Sequence, residues 1–377
     1  MPTYLLFSHR FYPQRGGVES FTKNLANALV EDGNRVCVIT SKIGKVEEFE
    51  ILENGVEIFR VPCYSLLSGR LPLSKHGGQF RRLLNEAADK KPDRVLVNTR
   101  LFPLSIDGLE FAKPLNIPAV VLDHGSAHLT FGNAFVDTFV ERYEHLITKK
   151  VKSYGPVFAG ISEKSVRWLG HFGIETEYVI PNAIDAEAYR RIASDRDFHE
   201  EAGSSKIVAY VGRLAPEKGC NELLKAARSF ESNGSIKFLL AGDGMLRKSL
   251  EEKAPRNVML LGALDQSDIS SLLQQSSVFC LPSRSEGFCT SLLEAGACGV
   301  PSIITDVGGA TELIPEPSVG WILPSGESGA LVNALNNCLN LPDGDRRQMG
   351  RRAQKIVESE YNWKKSVAAL EAVYDQF

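Results

Sequence analysis

The sequence predicts an α/β protein with two doubly wound, Rossmann-like domains that face a central cleft. Short apolar runs alternate with amphipathic segments of helical period along most of the 377 residues. A polar, weakly patterned stretch at 185–206 interrupts the alternation, which then begins again. Because alternating strands and helices form parallel sheets covered by helices, each half of the chain should build one such domain. The chain is also long enough for two hydrophobic cores.

The first domain is expected to comprise residues 1–184. Its opening strand is TYLLFS, and its first helix lies in GGVESFTKNLANALVEDGN, where apolar residues recur at helical spacing before Gly33. Its further strands are predicted in RVCVIT, RVLVN, AVVLD and GPVFAGIS. Ligands of such sheets bind at the carboxyl ends of the strands, so the residues that follow each strand are the candidates for a site.

The second domain is expected to comprise residues 207–360, after a linker at 185–206. Its strands are predicted in KIVAYVG, IKFLLAG, NVMLLG and VFCLPS, followed by TSLLEAGAC, PSIITD and GWILP. The final segment, 361–377, has the pattern of a helix. With two facing domains, the cleft between them is the default ligand site.

Composition and charge exclude several classes of protein. The net charge of −3 gives no global field that would draw the chain to nucleic acid. The seven cysteines are scattered without a C-x-x-C pair, which favours reduced thiols over a disulfide framework or a zinc site. The start, MPTYLLFSHR, lacks the features of a signal peptide, and no run approaches the roughly 18 apolar residues of a membrane span. We therefore expect a cytoplasmic protein.

The stretch GRLAPEKG at 212–219 places Arg213 and Lys218 at a strand-to-helix junction. Arginine offers a planar fork for phosphate oxygens, and lysine offers a compact charge. The start of the following helix adds free N–H groups and a favourable dipole. The pattern therefore predicts a diphosphate site that needs no metal, and a turn with two solvated cations is the ordinary alternative.

The stretch SRSEGFCTSLLEAGACGVP at 283–301 contains two glutamates, Glu286 and Glu294, eight positions apart. It follows the strand VFCLPS, so its loop should also present backbone N–H groups to a ligand. On spacing alone, Glu294 could be a capping-box residue, because it lies three positions after Ser291. Glu286 could be an acid in a surface turn.

Two features of the first domain are candidates for ligand contact. Gly16 and Gly17 stand where the first helix begins, and paired glycines let the backbone approach an anion closely. The stretch LDHGSAH at 122–128 places Asp123, His124 and His128 at a strand end, where histidines can bind a polyhydroxylated ligand or transfer a proton. A flexible loop and isolated histidines are the ordinary alternatives. The motif G-x-G-x-x-G is missing after the first strand, which disfavours a dinucleotide dehydrogenase.

The two D-x-D triplets, at 195–197 and 343–345, could hold a metal beside a diphosphate. One lies in the expected linker and the other in LPDGDRRQ, which has the composition of a turn into a helix. Both are interpreted as structural, and no metal or other cofactor is expected.

Taken together, these segments resemble a family 4 retaining glycosyltransferase of the GT-B fold. The segments GGVE, GIS, PNAID, GRLAPEKG and SRSEGFCTSLLEAGACGVP occur in the order of that family. The resemblance implies transfer of a hexose or N-acetylhexosamine from a nucleotide sugar, with a UDP-sugar expected, to a glycan or lipid-linked glycan. It implies no metal, a retained anomeric configuration, and a terminal helix, 361–377, that packs back on the first domain.

The resemblance also implies roles for the candidate residues of the second domain. Arg213 and Lys218 would hold the donor diphosphate and stabilise the charge on the leaving nucleotide. Glu294 would accept hydrogen bonds from the ribose, and Glu286 would bind hydroxyls of the transferred sugar. The loop that contacts the sugar and phosphates would comprise Gly287, Phe288, Cys289 and Thr290.

In the first domain, the resemblance implies that Gly16 and Gly17 approach the phosphates and that His124 contacts the donor sugar near the reacting centre. The sequence departs from the family at Ala183, where PNA replaces the frequent PNG. Alanine resists a positive φ, so the local backbone is expected to differ. Residues 60–150 carry little recognisable pattern, so the acceptor stays open.

Three other functions remain open at this point. A glycoside hydrolase would use Glu286 and Glu294 as acid and nucleophile. A retaining hydrolase needs these two carboxyl groups about 5 Å apart across the scissile bond. A loop glutamate and a glutamate at a capping position, beside two phosphate-binding cations, do not suit that arrangement. A nucleotide-sugar epimerase would need no acceptor, and a nucleotide-sugar-binding protein would release no nucleotide.

The segment KHGGQFRRLLNEAADKKPDR at 75–94 combines basic residues with Phe80, Leu83 and Leu84. Such a helix could bring the first domain to the inner face of an anionic membrane, or it could simply be a solvated amphipathic helix.

Overall fold

The computed structural model describes residues 1–14, 16–66, 69, 71–130, 134–203, 205–232 and 234–377. The chain forms two compact units. The first comprises Met1–Asn182 together with Trp363–Phe377, and the second comprises Ala183–Asn362. Each unit contains a mainly parallel sheet with helices between its strands, so the expected α/β fold with two Rossmann-like domains is confirmed.

The first unit has a seven-stranded sheet in the order β3-β4-β2-β1-β7-β8-β9. All neighbours are parallel except β3 and β4, and β5 and β6 form a separate antiparallel pair. The strands are β1 Thr3–Ser8, β2 Arg35–Ser41, β3 Phe49–Ile51, β4 Glu57–Val61, β5 Cys63–Leu66, β6 Leu71–Ser74, β7 Arg94–Asn98, β8 Ala119–Asp123 and β9 Val157–Gly160. The α-helices are α1 Gly17–Glu31, α2 Gly78–Ala88, α3 Pro103–Ala112, α4 Ala134–Lys152, α5 Glu163–Leu169 and, from the end of the chain, α15 Trp363–Tyr374.

The second unit has a six-stranded parallel sheet in the order β12-β11-β10-β13-β14-β15. Its strands are β10 Lys206–Val211, β11 Ile236–Ala241, β12 Val258–Gly262, β13 Val278–Leu281, β14 Ser302–Thr305 and β15 Gly320–Leu323. Its α-helices are α6 Ala186–Arg191, α7 Phe198–Ala202, α8 Cys220–Arg228, α9 Arg247–Lys253, α10 Gln266–Gln274, α11 Thr290–Ala297, α12 Ala310–Leu313, α13 Ser328–Leu339 and α14 Asp343–Glu360.

Strand order decides which loops meet. β1 lies between β2 and β7, with Leu5 opposite Cys37 and Val95. β10 lies between β11 and β13, with Val208 opposite Val278. The carboxyl ends of β1, β7 and β8 are therefore neighbours in one unit, as are those of β10 and β13 in the other. Both central strands are buried runs of mainly apolar residues, which is the usual pattern of a sheet covered on both faces.

The last helix, α15, belongs to the first unit. The Tyr374 hydroxyl donates a hydrogen bond of 2.6 Å to the Val95 carbonyl, and its ring makes an edge contact with Tyr4 at 5.8 Å. The Trp363 ring lies 5.8 Å from that of Phe21 on α1. These contacts join α15 to the central strands of the sheet and to α1.

The segment 185–206, which the sequence suggested as a linker, folds as part of the second unit. Asp185 and Asp197 cap α6 and α7, each accepting a hydrogen bond from a backbone N–H of its helix. Phe198 is fully buried, and the Ser270 hydroxyl donates to the Tyr189 carbonyl. The two helices are short and carry few apolar residues, so periodicity alone does not reveal them.

Helix α2 turns its apolar side chains inward. Phe80, Leu83 and Ala87 are buried in the core of the first unit, and Leu84 packs against that core. Arg82 on the outer face pairs with Glu48 and Glu86. The interpretation of 75–94 as a lipid-binding helix is therefore wrong, because its apolar face is already used for packing. Within the described residues, no helix is long and apolar enough to cross a membrane.

Candidate active site

The turn after β10 carries both candidate cations of the second unit. Arg213 follows Gly212, and Lys218 ends a 3₁₀ turn at Pro216–Lys218, just before α8. The buried Tyr210 hydroxyl donates a hydrogen bond of 2.8 Å to the Arg213 carbonyl. The backbone of this turn is thus anchored to the strand that precedes it.

The turns after β10 and β13 are joined by two hydrogen bonds to one backbone carbonyl. The Ser283 hydroxyl and the Arg284 N–H both donate to the Glu217 carbonyl, at 3.0 and 2.7 Å. Gly219 has a φ of +69°, and a Cβ at this position would overlap the Pro282 carbonyl. Glycine is required there by both conformation and space. This close approach brings the two candidate segments to one place.

Lys218 and Glu286 form an ion pair at the meeting point of these turns. The Lys218 Nζ lies 2.6 Å from Glu286 Oε1, and the two side chains are only 15% and 11% exposed. Arg213 is different: its guanidinium is 66% exposed and pairs with Glu217 at 2.9 Å. The lysine is therefore held in place by a carboxylate, whereas the arginine can reorient toward a ligand at small cost.

The loop that begins helix α11 has an unusual backbone at Cys289. This residue is the N-cap, in the left-handed region with a φ of +73°, and its side chain makes no capping hydrogen bond. Because the helix begins at Thr290, Ser291 is its second residue and not its cap. Glu294 is consequently not part of a capping box, and that alternative is wrong.

The preceding residues, Gly287 and Phe288, pack against a pair of glycines after β14. A Cβ on Gly308 would lie 2.9 Å from the Gly287 carbonyl oxygen, and one on Gly309 would lie 3.0 Å from the Phe288 ring. Sequence reasoning missed Gly308 and Gly309. The available signal was the pair of adjacent glycines, which resembles the Gly16–Gly17 pair at the start of the first helix.

Glu294 lies in the middle of α11 and is largely shielded from solvent. Burial raises the pKa of the Glu294 carboxyl to about 7. The buried Tyr189 hydroxyl is an electrostatic neighbour, and its pKa is raised by burial and then by Glu294. Among the described residues, the Tyr189 hydroxyl has no hydrogen-bond partner. A ligand that donates hydrogen bonds to the Glu294 carboxyl would favour its ionised form.

In the first unit, His124 follows β8 directly. Its Nε2 lies 3.0 Å from Asn98 Oδ1 at the end of β7, and its ring makes an edge contact with Phe21 at 5.0 Å. Since the amide oxygen accepts, Nε2 donates and Nδ1 is left as an acceptor. Burial lowers the pKa of His124 to about 3, so the imidazole is neutral near neutral pH.

A second histidine, His9, was not singled out from the sequence. It follows β1 directly, as His124 follows β8, and this placement is the signal that could have found it. Its ring stacks on Phe102 with a centroid distance of 3.4 Å. Burial, followed by Arg10 and His124, lowers the pKa of His9 to about 3. Two neutral imidazoles and an amide thus stand at neighbouring strand ends.

Gly16 and Gly17 stand at the start of α1. A Cβ on Gly16 would overlap the carboxylate of Glu19, whereas one on Gly17 would meet nothing within 4 Å. Glu19 is buried in the first turn of α1 and pairs with Arg10 at 3.2 Å. The buried Glu19 carboxylate therefore explains why position 16 has a residue without a side chain.

Asp123 and His128, the other two candidates of the LDHGSAH segment, have different partners from His124. Asp123 is buried and pairs with Arg100 at 2.8 Å. His128 pairs with the buried Glu144 at 2.8 Å. Asp123 therefore serves the core of the unit, and His128 belongs to a different cluster from His124.

One aspartate of each D-x-D triplet has a local structural partner. Asp197 caps α7, and Asp343 in the first turn of α14 pairs with Arg346 at 2.6 Å. These contacts agree with the interpretation of the triplets as structural.

Comparison with known families agrees with this architecture. Residues 15–188 match the family model "Glycosyltransferase Family 4", and residues 192–356 match "Glycosyl transferases group 1". One of the subunits of human phosphatidylinositol N-acetylglucosaminyltransferase is 26% identical over 98% of this chain and 75% of its own length. An uncharacterized glycosyltransferase of Methanocaldococcus jannaschii is 22% identical over 99% of this chain and 98% of its own.

Solved structures share the fold. Sucrose-phosphate synthase from Thermosynechococcus elongatus superimposes with a TM-score of 0.81 at 19% identity, covering 100% of this chain and 99% of its own. Anabaena HepE, solved in complex with UDP and glucose, superimposes with a TM-score of 0.77 at 19% identity, with both chains fully covered. The two family matches together span most of the sequence, and the chain belongs to the group 1 glycosyltransferases of the GT-B fold, with a family 4 N-terminal domain.

Proposed function

We propose that this glycosyltransferase moves a hexose or N-acetylhexosamine from a UDP-sugar to a glycan or lipid-linked glycan, with retention of anomeric configuration and without a metal. The observation that carries the proposal is the ion pair of Lys218 and Glu286, 2.6 Å apart at the ends of two neighbouring strands. Lys218 supplies a cation for the phosphate, and Glu286 supplies a hydrogen-bond acceptor for sugar hydroxyls. A nucleotide-sugar donor needs both groups at one place, because its phosphate is bonded directly to its sugar.

The choice of a UDP-sugar rests on relatives. HepE has been solved with UDP-glucose, and the human and yeast relatives carry N-acetylglucosaminyltransferase in their names. These proteins are at most 26% identical to this chain, so they supply the class of donor to test first.

In the proposed reaction, the bond between the anomeric carbon and the diphosphate oxygen breaks, and UDP departs with the electron pair. Lys218 and Arg213 stabilise the charge that develops on the diphosphate. The acceptor hydroxyl oxygen bonds to the same face of the anomeric carbon, and its proton passes to the departing phosphate. Glu286 orients the sugar hydroxyls, and Glu294 accepts hydrogen bonds from the ribose.

A panel of nucleotide sugars tests the donor. A donor well above its dissociation constant should raise the apparent melting temperature, because it binds only the folded protein. Release of UDP that depends on an added acceptor would identify the transferase reaction. Conversion of the donor to an epimer without acceptor, or stable binding without turnover, would overturn the proposal in favour of an epimerase or a binding protein.

We further propose that the first unit contacts lipid through α4. Phe135, Phe139 and Leu146 are 73%, 55% and 70% exposed, and their spacing places them on one face of the helix. Lys149, Lys150 and Lys152 occupy its last turn. Exposed apolar side chains followed by cations fit an anionic membrane surface, where a lipid-linked acceptor would reside.

Co-sedimentation with phosphatidylcholine vesicles, with and without phosphatidylserine, tests this contact. The triple variant Phe135→Ser, Phe139→Ser, Leu146→Ser should lose binding to the anionic vesicles, while Arg81→Ser on α2 should retain most of it. Equal binding by the triple variant and the parent, or no binding by the parent, would contradict the lipid assignment. Neither result bears on the donor assay with a water-soluble acceptor.

A further inference from the structure

A cluster of three histidines and a glutamate lies on the first unit, apart from His124 and its partners. It consists of His128, Glu141, His145 and His171, and each can place one ligand atom within 4.8 Å of the other three. The four residues come from three segments. His128 lies in the loop after β8, Glu141 and His145 stand four residues apart on α4, and His171 lies in a 3₁₀ helix at Gly170–Phe172.

One nitrogen of His128 is already fixed by a buried carboxylate. Its Nδ1 lies 2.8 Å from Glu144 Oε2, and Glu144 is 1% exposed. The other Glu144 oxygen accepts a hydrogen bond of 2.8 Å from the Leu129 N–H. Histidines that bind metals commonly donate their second N–H to such a carboxylate, which fixes the tautomer and the orientation of the ring.

The remaining nitrogen of His128 is available to the cluster. Nε2 is buried and makes no hydrogen bond in the described part of the chain. Glu141 Oε1 lies 3.4 Å from it. A buried polar atom without a hydrogen bond is costly unless something else satisfies it. With Nδ1 occupied by Glu144, Nε2 is the atom of His128 that a cation would bind.

The other two imidazoles are held close to this nitrogen by packing. The His171 ring lies 5.0 Å from that of His128 and 5.1 Å from that of His145, centroid to centroid. Trp168 stacks flat on His171 at 4.8 Å with an interplanar angle of 4°. These aromatic contacts keep the three rings near one another, so that side-chain rotation alone would bring their nitrogens to a common ion.

We propose that His128, Glu141, His145 and His171 bind one divalent transition-metal ion of the Zn²⁺ type. Imidazole ligands favour zinc and its neighbours, whereas magnesium and calcium require mainly oxygen ligands. Tetrahedral zinc with bonds of about 2.0–2.1 Å separates its ligand atoms by roughly 3.3 Å, so the atoms must close in by up to about 1.5 Å. Side-chain rotation on an exposed surface supplies that movement.

The role of such an ion is structural. Four protein ligands fill a tetrahedral shell and leave no open position for a substrate. The ion would join the loop after β8, α4 and the 3₁₀ helix, and it would fix the helix that presents Phe135 and Phe139. This site is independent of the proposed transfer reaction, which needs no ion at these residues.

Metal binding to the full chain, carrying no polyhistidine tag, tests the proposal. After chelator treatment and dialysis against Zn²⁺, the parent should retain about one Zn²⁺ per chain by elemental analysis. Its apparent melting temperature should rise with Zn²⁺ and should not rise with Mg²⁺. Co²⁺ bound in place of Zn²⁺ should give the visible absorption bands of a tetrahedral site.

The matched variants are His145→Gln, His171→Gln and, as the control, His199→Gln. His199 is an exposed histidine on α7 in the second unit. The first two variants should lose the bound metal and the thermal shift, and His199→Gln should keep both. Circular dichroism of the metal-free proteins separates loss of the site from loss of the fold, and His145→Gln retains the ring stacking of His171 on Trp168. Failure of the parent to retain zinc, or equal retention by the folded His145→Gln and His171→Gln variants, would overturn the proposal.

Discussion

The strand ends of the two units present different chemistry. In the second unit they carry charge: the Lys218–Glu286 pair, the exposed Arg213, and Glu294 with a raised pKa. In the first unit the ends of β1, β7 and β8 carry two histidines with lowered pKa values and the amide of Asn98. Two sheets of similar topology therefore offer different groups: in the second unit a lysine and an arginine suited to phosphate, and in the first unit neutral imidazoles, beside the Arg10–Glu19 and Arg100–Asp123 pairs, that can hydrogen-bond hydroxyls.

The largest expected effect tests the charged surface. Lys218→Ala should lower kcat/KM for sugar transfer by about 10²–10³-fold, because removing one group that stabilises developing charge costs roughly 2.7–4 kcal/mol. The assay measures acceptor-dependent UDP release. Lys225→Ala, on the exposed face of α8, is the matched control and should leave the rate nearly unchanged. Near-parental turnover by Lys218→Ala would remove the phosphate assignment.

The backbone that places these charges can be tested through Gly219. Gly219→Ala should destabilise the protein by about 2–3 kcal/mol, because the residue has a positive φ and no room for a Cβ beside Pro282. Denaturant-induced unfolding, followed by fluorescence, measures the change. Gly329→Ala in helix α13 meets nothing within 4 Å and should be neutral or slightly stabilising. If both substitutions have the same effect, the close approach at Pro282 is not needed for stability.

Acid should weaken the first unit through its neutral histidines. The pKa of His124 is about 3 in the folded protein and about 6.5 for an exposed imidazole. Between these two pH values, the unfolded chain therefore binds more protons than the folded protein does. Its contribution to stability is complete above about pH 6.5 and is lost as the pH falls.

His124→Gln removes that proton linkage. Between pH 7 and about pH 5, the variant should lose roughly 1–2 kcal/mol less stability than the parent does. Unfolding curves at both pH values measure the difference, and His199→Gln provides an exposed histidine for comparison. An unchanged pH dependence in His124→Gln would show that His124 is not held neutral.

The smallest effect concerns Glu294. If the carboxylate accepts ribose hydrogen bonds, UDP affinity should rise as the pH increases through about 7, where the carboxyl ionises. Glu294→Gln should bind UDP about tenfold more weakly, the loss expected for a hydrogen bond to a charged group, and without this pH dependence. Calorimetric titration with UDP between about pH 6 and pH 8 measures both. Glu251→Gln on α9 is the control, and parental affinity in Glu294→Gln would contradict the ribose role.

The alternation of strands and helices was predictable because fully buried parallel strands are short apolar runs. The positions of Arg213, Lys218 and Glu286 at strand ends were predictable for the same reason. The pairing of Lys218 with Glu286 was not, because the residues are 68 positions apart and meet only through the order of β10 and β13. Local sequence carries no information on that order.

Two other differences have local physical causes. The apolar face of α2 was mistaken for a lipid-binding face, since periodicity shows that a face is apolar and not what covers it. The capping-box alternative for Glu294 failed because the helix begins one residue before Ser291, after a left-handed Cys289. A non-glycine residue in that conformation is set by tertiary contacts and is invisible to propensity.

The position of α15 has a consequence for biosynthesis. The second unit is inserted between Asn182 and Trp363 of the first, so the helix that packs on β1 and β7 emerges from the ribosome after the entire second unit. Domains generally fold as units during synthesis, N-terminal first. Here the second unit can finish folding before the first unit does. The sheet of the first unit is synthesised first, but it is complete only when Tyr374 has been made and contacts Val95. A nascent chain that stalls before Trp363 would expose the surface on the sheet that α15 covers, and it would be a natural substrate for a chaperone.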